Sequence, residues 1–172
     1  MYIQNDAHDQ FKIFLLTDAS SEACTVWTPL GKIRPTRLVL GHTNAATYAQ
    51  GAFRRFQDED LDSDTREHHA YFQDGTCLFA APANDCEAPK AKHWEELLRR
   101  WRQVLEMYPK RGATLTAKKT KVGYGTATFY GHEVGPEGHR QTERNLDPIA
   151  KCVAPRNVSE LRSALGMFVQ GK

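Results

Sequence analysis

Residues 70–80 read Ala70-Tyr71-Phe72-Gln73-Asp74-Gly75-Thr76-Cys77-Leu78-Phe79-Ala80. Two short apolar runs meet at Gln73-Asp74-Gly75, and Asp-Gly is a strong turn dipeptide. The pattern predicts a β-hairpin with the Asp74 carboxylate at its tip. Taken alone, such a carboxylate is an ordinary solvated turn residue. It becomes a ligand only if a second carboxylate is brought beside it, so the rest of the chain decides between the two readings.

Working outward, the clearest helix lies downstream. Trp94, Leu97, Leu98, Trp101, Val104, Leu105 and Tyr108 recur at helical spacing and predict a helix over about residues 90–108, ended by Pro109 and Gly112. Glu95, Glu96, Arg99, Arg100 and Arg102 fall mostly off that stripe, which reads as packing surface. Upstream, residues 44–60 are helix-compatible, with Ala45, Ala46, Ala49, Ala52, Phe53 and Phe56 able to line one side. The acidic residues that follow read as a solvent loop. Residues 1–16 predict a strand and its exit, and Thr25 to Ile33 predict a hairpin around Pro29-Leu30-Gly31. A second hairpin is expected over 126–140, turning at Gly135-Pro136-Glu137-Gly138. Asn157 and Glu160 have capping-box spacing and predict a last helix through Leu161, Leu165 and Phe168. Hairpins interleaved with helices predict an α+β fold, an antiparallel sheet with helices packed on one face.

Composition narrows the class. The 172 residues are 40% apolar and 26% charged, enough for one sizeable core. No apolar run approaches membrane-spanning length, and the start lacks a basic-then-apolar leader, so an intracellular, cytoplasmic or nuclear protein is expected. Cys24, Cys77, Cys86 and Cys152 are scattered and read as free thiols. His68-His69 and Cys86 with His93 lack structural-zinc spacing, and no hydrolase triad stands out. The net charge of +2 is unevenly spread. Residues 58–67 carry Asp58, Glu59, Asp60, Asp62, Asp64 and Glu67, whereas 110–121 carry Lys110, Arg111, Lys118, Lys119 and Lys121 with no acid. The basic run reads either as a solvated face or as a phosphate-backbone contact.

Six motifs then appear in order. They are Asp6-Ala7-His8-Asp9-Gln10-Phe11, Trp27-Thr28-Pro29-Leu30-Gly31, the stretch from Arg37 to Gln50, and Phe72-Gln73-Asp74-Gly75. Leu115-Thr116-Ala117-Lys118-Lys119 with Phe129-Tyr130-Gly131-His132 follows, and Val158-Ser159-Glu160-Leu161-Arg162-Ser163-Ala164-Leu165-Gly166 closes the series. Together they resemble the reverse-transcriptase palm of gypsy-type LTR retrotransposons, including its F-x-T-P-x-G hairpin, its aromatic-x-Asp-Asp turn and its V-x-E-L-R-S-F-L-G segment. The resemblance covers nearly the whole chain. It implies a polymerase palm over 1–150 and the start of a thumb or connection segment over 151–172.

That resemblance implies RNA-directed DNA polymerisation by nucleotidyl transfer. In such chemistry two divalent cations about 3.5–4 Å apart activate the attacking oxygen and steady the leaving one. Magnesium, or manganese, is held by hard carboxylate oxygens together with substrate phosphates. By resemblance Asp6 and Asp74 are the catalytic metal ligands. Leu40, Gly41 and Lys118 would lie near a deoxynucleoside triphosphate. Asn44, Gln50, Lys119, Lys121, Tyr130, Gly131 and His132 would contact an RNA or DNA template-primer. For Asn44 and Gln50 a helix cap and a surface amide are equal alternatives, and core packing is the alternative for Phe129 and Tyr130. The second turn aspartate of the family is replaced by Gly75, which implies lost activity. The chain starts five residues before Asp6 and ends soon after the last motif, so fingers and ribonuclease H segments of a polyprotein are expected to lie elsewhere. The alternative is a non-catalytic retroelement remnant that binds nucleic acid or serves as an interaction domain.

Overall fold

The computed structural model describes residues 1–80 and 90–170. Cys86 therefore lies outside the described residues. The chain forms two compact units, dividing between Tyr124 and Gly125. The boundary expected at 150/151 falls inside the second unit, between two of its helices.

The first unit is built on a five-stranded antiparallel sheet. Strand β1 (Tyr2–His8) is its centre. The hairpin β4 (His69–Phe72) and β5 (Gly75–Phe79) lies on one side, and β5 pairs with β1 from Tyr2↔Phe79 to Asp6↔Gly75. The other edge of β1 is shared by β6 (Thr114–Leu115), which pairs with Ala7 and His8, and β7 (Lys121–Tyr124), which pairs with Tyr2, Ile3 and Gln4. A separate hairpin, β2 (Val26–Thr28) and β3 (Gly31–Ile33), turns at Pro29-Leu30 as its sequence predicts.

Burial along β1 alternates. Ile3, Asn5 and Ala7 point into the core, and Tyr2, Gln4 and Asp6 lie on the opposite face. Helices α2 (Ala45–Asp60) and α4 (Lys90–Lys110) cover the core side. Ala45, Ala49, Ala52 and Phe53 of α2 are buried as expected, and Phe53 packs edge-on against Phe14 and Phe56 and stacks on Tyr71. The α4 seam differs from the predicted stripe. Leu97, Arg100, Val104, Met107 and Tyr108 are buried, while Leu98 and Leu105 are exposed.

Arg100 explains part of that shift. Its side chain is 4% exposed, and the guanidinium donates to both oxygens of Asp64, at 2.9 and 3.0 Å, and to the carbonyls of Phe79 and Ala80. A satisfied arginine can thus occupy a position that an apolar pattern assigns to solvent. The same contacts correct the reading of the acidic run as a loop. Its first part ends α2, and Ser63–Glu67 form helix α3, with the Asp62 side chain accepting from Thr65 N–H at 2.7 Å. Asp60, whose side chain is 3% exposed, accepts from Lys110 and Arg111. Helix α1 (Asp18–Ala23), capped by Thr17, is absent from the sequence expectations because its six residues bury nothing and leave no periodic signal.

The second unit holds a three-stranded meander, β8 (Ala127–Phe129), β9 (His132–Gly135) and β10 (Gly138–Gln141), followed by α5 (Glu143–Ala150) and α6 (Val158–Gln170). The turn expected at 135–138 joins β9 to β10. Asn157 caps α6, its Oδ1 accepting from Glu160 N–H at 2.9 Å, while Glu160 Oε2 accepts from Arg156 N–H at 2.7 Å, one residue before the bond a capping box makes. No helix among the described residues is long and apolar enough to cross a membrane.

His69 at the start of β4 is 8% exposed, and neither ring nitrogen has a partner among the described residues. Burial pushes its pKa down from 6.5 to about 4. The folded state therefore binds fewer protons than the unfolded state in that window, so stability is complete above about pH 6.5 and falls as pH drops toward 4. The Asp60 carboxyl is held down to about 2, chiefly by its hydrogen bond from Arg111, and its contribution is lost only below the ordinary carboxylate value of 3.8. Urea denaturation between pH 7 and 4.5 should show a loss on the order of 2 kcal/mol in the native chain. His69→Leu should remove most of that slope; equal slopes in the two proteins would contradict this account of His69.

Candidate functional site

Asp6 is positioned by its backbone. Ala7 N–H donates to the Asp74 carbonyl at 2.7 Å, and Thr116 N–H donates to the Asp6 carbonyl at 2.8 Å. The β4–β5 turn is thereby joined to the residue after Asp6, so the backbones of two aspartates far apart in sequence lie at the same end of the β1–β5 ladder. Their charges act on common neighbours. Burial raises the Tyr108 phenol first, and the charges of Asp6 and Asp74 raise it further. The Lys119 ammonium is raised by its hydrogen bond to Asp6, then by the charges of Asp6 and Asp74.

Gly75 stands directly opposite Asp6 in the β1–β5 ladder. Side chains directly opposite one another have Cβ atoms about 4.5–5.5 Å apart. An aspartate at 75 would therefore put a second carboxylate beside that of Asp6, a repulsive pairing unless a cation lies between them. With glycine there, the place beside Asp6 has no donor from β5.

The other neighbour of Asp6 is a lysine. After β6 the chain makes one 3₁₀ turn, Ala117–Lys119, before β7 begins. Lys119 Nζ lies 3.0 Å from both Oδ1 and Oδ2 of Asp6. Lys118 is on the same turn and Lys121 opens β7; both are exposed, and neither forms an ion pair among the described residues.

The turn that carries Asp74 is strained and braced. Gln73 has φ of 51°, in the left-handed region. That conformation costs a side-chain-bearing residue roughly 1–2 kcal/mol. Gln50, on α2, holds the turn with both ends of its amide: Oε1 accepts from Gln73 N–H at 2.7 Å, and Nε2 donates to the Tyr71 carbonyl at 3.3 Å. Its amide is thus engaged with protein. Below the sheet, Asn5 is buried, accepting from Trp101 Nε1 at 3.2 Å and donating to Thr76 Oγ1 at 3.4 Å. Asn5, Tyr108 and Trp101 support the site, yet the sequence offers only their apolar or amide character and no motif that singles them out.

Leu40 is 66% exposed, and Gly41 has φ of 88° with open space where a Cβ would stand. The backbone conformation, and no crowding by protein, accounts for glycine at 41. Asn44 precedes α2 but makes no side-chain cap, and it lines an apolar cavity of about 310 Å³ with Phe14, Leu38 and Tyr48. Tyr130, Gly131 and His132 belong to the second unit. Tyr130 and Gly131 both have positive φ and form the tight β8–β9 turn, whose Gly131 carbonyl accepts from Thr142 N–H, Thr142 Oγ1 and Asn145 Nδ2 at 3.0–3.1 Å. His132 opens β9, its ring 6.1 Å from that of His139.

Among the described residues no group of three or more His, Cys, Asp or Glu side chains converges as a metal site. The carboxylates of Asp6 and Asp74 are hard oxygen donors of the kind that divalent cations take together with phosphate and water. The set falls short for two cations so close together, because Gly75 brings no oxygen and Lys119 adds a positive charge. The basic run is also partly neutralised: Lys110 and Arg111 bind Asp60, and Arg111 binds Glu59 at 2.7 Å.

No protein-family model and no curated protein matches the chain. Solved structures do. The foamy viral protease-reverse transcriptase dRH in complex with double-stranded DNA aligns with TM-score 0.75 at 18% identity, over 98% of this chain and 27% of that one. The foamy viral protease-reverse transcriptase in complex with RNA/DNA hybrid aligns with TM-score 0.70 at 18% identity, over 97% of this chain and 20% of that one. The native Prototype Foamy Virus enzyme aligns with TM-score 0.58 at 14% identity, over 98% of this chain and 23% of that one. The chain has the fold of part of a reverse transcriptase, and it spans only about a fifth to a quarter of the length of these chains.

If Gln50 braces the turn, Gln50→Ala should lower unfolding stability by about 1–2 kcal/mol in urea denaturation, without any nucleic acid present. A change below about 0.3 kcal/mol would assign the residue to ligand contact alone.

Proposed function

We propose that the chain is the palm segment of a gypsy-type LTR-retrotransposon reverse transcriptase, with the first part of a thumb or connection segment following residue 150. In this reading it retains template-primer binding and has lost most of its nucleotidyl transfer. The observation that carries it is the hydrogen bond from Ala7 N–H, beside Asp6, to the carbonyl of Asp74 in the β4–β5 turn, with Gly75 opposite Asp6 where the family carries a further carboxylate. The likeness to reverse transcriptases solved with double-stranded DNA and with RNA/DNA hybrid supports the choice of nucleic acid as ligand.

Magnesium or manganese, when bound, would draw charge from the reacting phosphate and the attacking hydroxyl. Asp6 and Asp74 would hold it, and Lys118 would face the phosphates of a deoxynucleoside triphosphate near Leu40 and Gly41. Lys121 would meet the template-primer backbone, with Tyr130 to His132 meeting the primer. Losing one carboxylate from such a site removes several kcal/mol of transition-state stabilisation, a rate loss on the order of a thousandfold. The remnant reading, in which the chain only binds, is favoured by the same Gly75 and by the Lys119 contact to Asp6.

Binding to an RNA–DNA hybrid, followed by fluorescence anisotropy across a salt series, should weaken steeply with salt. Because Lys121 forms no ion pair among the described residues, replacing it with alanine should reduce the slope of log K against log[salt] by about 1, whereas Lys110→Ala should change it by less than about 0.5. Salt-insensitive binding, or no binding, would refute the nucleic-acid reading. Catalysis is tested separately. Gly75→Asp, in a chain joined to a fingers segment, should raise magnesium-dependent primer extension on the order of a thousandfold over the Gly75 form. Absent extension after that repair would leave the non-catalytic reading.

A further inference from the structure

A lysine ammonium occupies the position where a cation bound by Asp6 would need its ligands. Lys119 Nζ is 3.0 Å from each Asp6 oxygen, and a metal ion taken up by Asp6 would need those same lone pairs. The placement is built into the sheet. β6 pairs with Ala7 and His8, and β7 pairs with Tyr2 to Gln4, so the neighbouring strand is interrupted at the level of Asp6. The interruption is the Ala117–Lys119 turn. It starts from Thr116, whose N–H donates to the carbonyl of Asp6 itself, and it closes with Lys119 N–H donating to the Thr116 carbonyl at 3.0 Å. One end of the turn is anchored on the Asp6 backbone, and the other returns an ammonium to the Asp6 carboxylate. Gly75 opposite leaves no second β5 carboxylate to draw a metal in against it.

We propose that Lys119 is the resident counter-cation of the Asp6–Asp74 site, and that a divalent metal enters only by displacing it. This rests on reading Asp6 and Asp74 as metal ligands, and it goes further: the resting site is closed to metal by a residue of the chain itself.

The test is a Mn2+ titration of the full chain without nucleotide or nucleic acid, with free Mn2+ read by electron paramagnetic resonance. Lys119→Met keeps the length of the side chain and removes its charge, and it should tighten Mn2+ binding about fivefold or more. Lys32→Met, the same charge loss on the separate β2–β3 hairpin, should shift affinity by less than about twofold. Adding Asp6→Asn to Lys119→Met should abolish the gain. Circular dichroism checks folding, and Lys119→Gln replaces Lys119→Met if the latter misfolds. Unchanged affinity in the Lys119 variants, or an equal gain in Lys32→Met, would overturn the proposal. If Asp6→Asn weakens binding while Lys119→Met does not tighten it, only the displacement idea falls. If Asp6→Asn has no effect in either background, the metal-ligand reading of Asp6 falls with it.

Discussion

Strand β1 is hydrogen-bonded along both edges, by β5 on one side and by β6 and β7 on the other. That double pairing fixes its register. A slip of one residue would turn Asp6 into the core and expose Asn5, breaking the buried bonds of Asn5 to Trp101 and Thr76. The apolar neighbours Ile3 and Ala7 would leave the core with it. The direction of the Asp6 carboxylate is thus set by the packing of the opposite face, before any ligand is considered. The Asp74 turn follows, because its carbonyl closes the ladder onto Ala7.

From that constraint the site acquires its electrostatics. Asp6 and the Asp74 turn lie at the same end of the β1–β5 ladder, and the positive charge that faces Asp6 comes from Lys119. Gln50 reaches from α2 to hold the left-handed Gln73, so the turn carrying Asp74 is tied to the helix that covers the core. Fold, turn and carboxylates form one mechanical unit. Gly75 opens β5 opposite Asp6 and brings no side chain to that place in the ladder.

Local patterns were legible. The hairpins at Val26–Ile33 and His69–Phe79, helix α2 and the Asn157–Glu160 cap each depend on residues close in sequence, and each formed as expected. Ordered motifs, not periodicity, put Asp6 and Asp74 forward together; the structure pairs Asp6 with Gly75 and bonds the neighbouring Ala7 N–H to the Asp74 carbonyl. What sequence reading missed was non-local. Asp60 meets Arg111 across 51 positions, Asp64 meets Arg100 across 36, and Lys119 meets Asp6 across 113. A run of acids and a run of bases each looked solvated because their partners lay in other elements. Arg100 looked like a surface residue because a pattern of apolar spacing cannot register a guanidinium satisfied by Asp64 and two carbonyls. For Gln50 the sequence left template contact and a surface amide open, and its hold on the turn through Gln73 and Tyr71 carried no local signal.

Amide hydrogen exchange by NMR tests the arrangement of β1 most directly. The amides of Ala7 and Thr116, which bond to Asp74 and from β6's exit to Asp6, should be protected to nearly the level of core amides such as Leu78. Exchange of Ala7 and Thr116 as fast as that of Leu30, at the tip of the exposed β2–β3 hairpin, would show that Asp6 and Asp74 are not held together and would contradict the account.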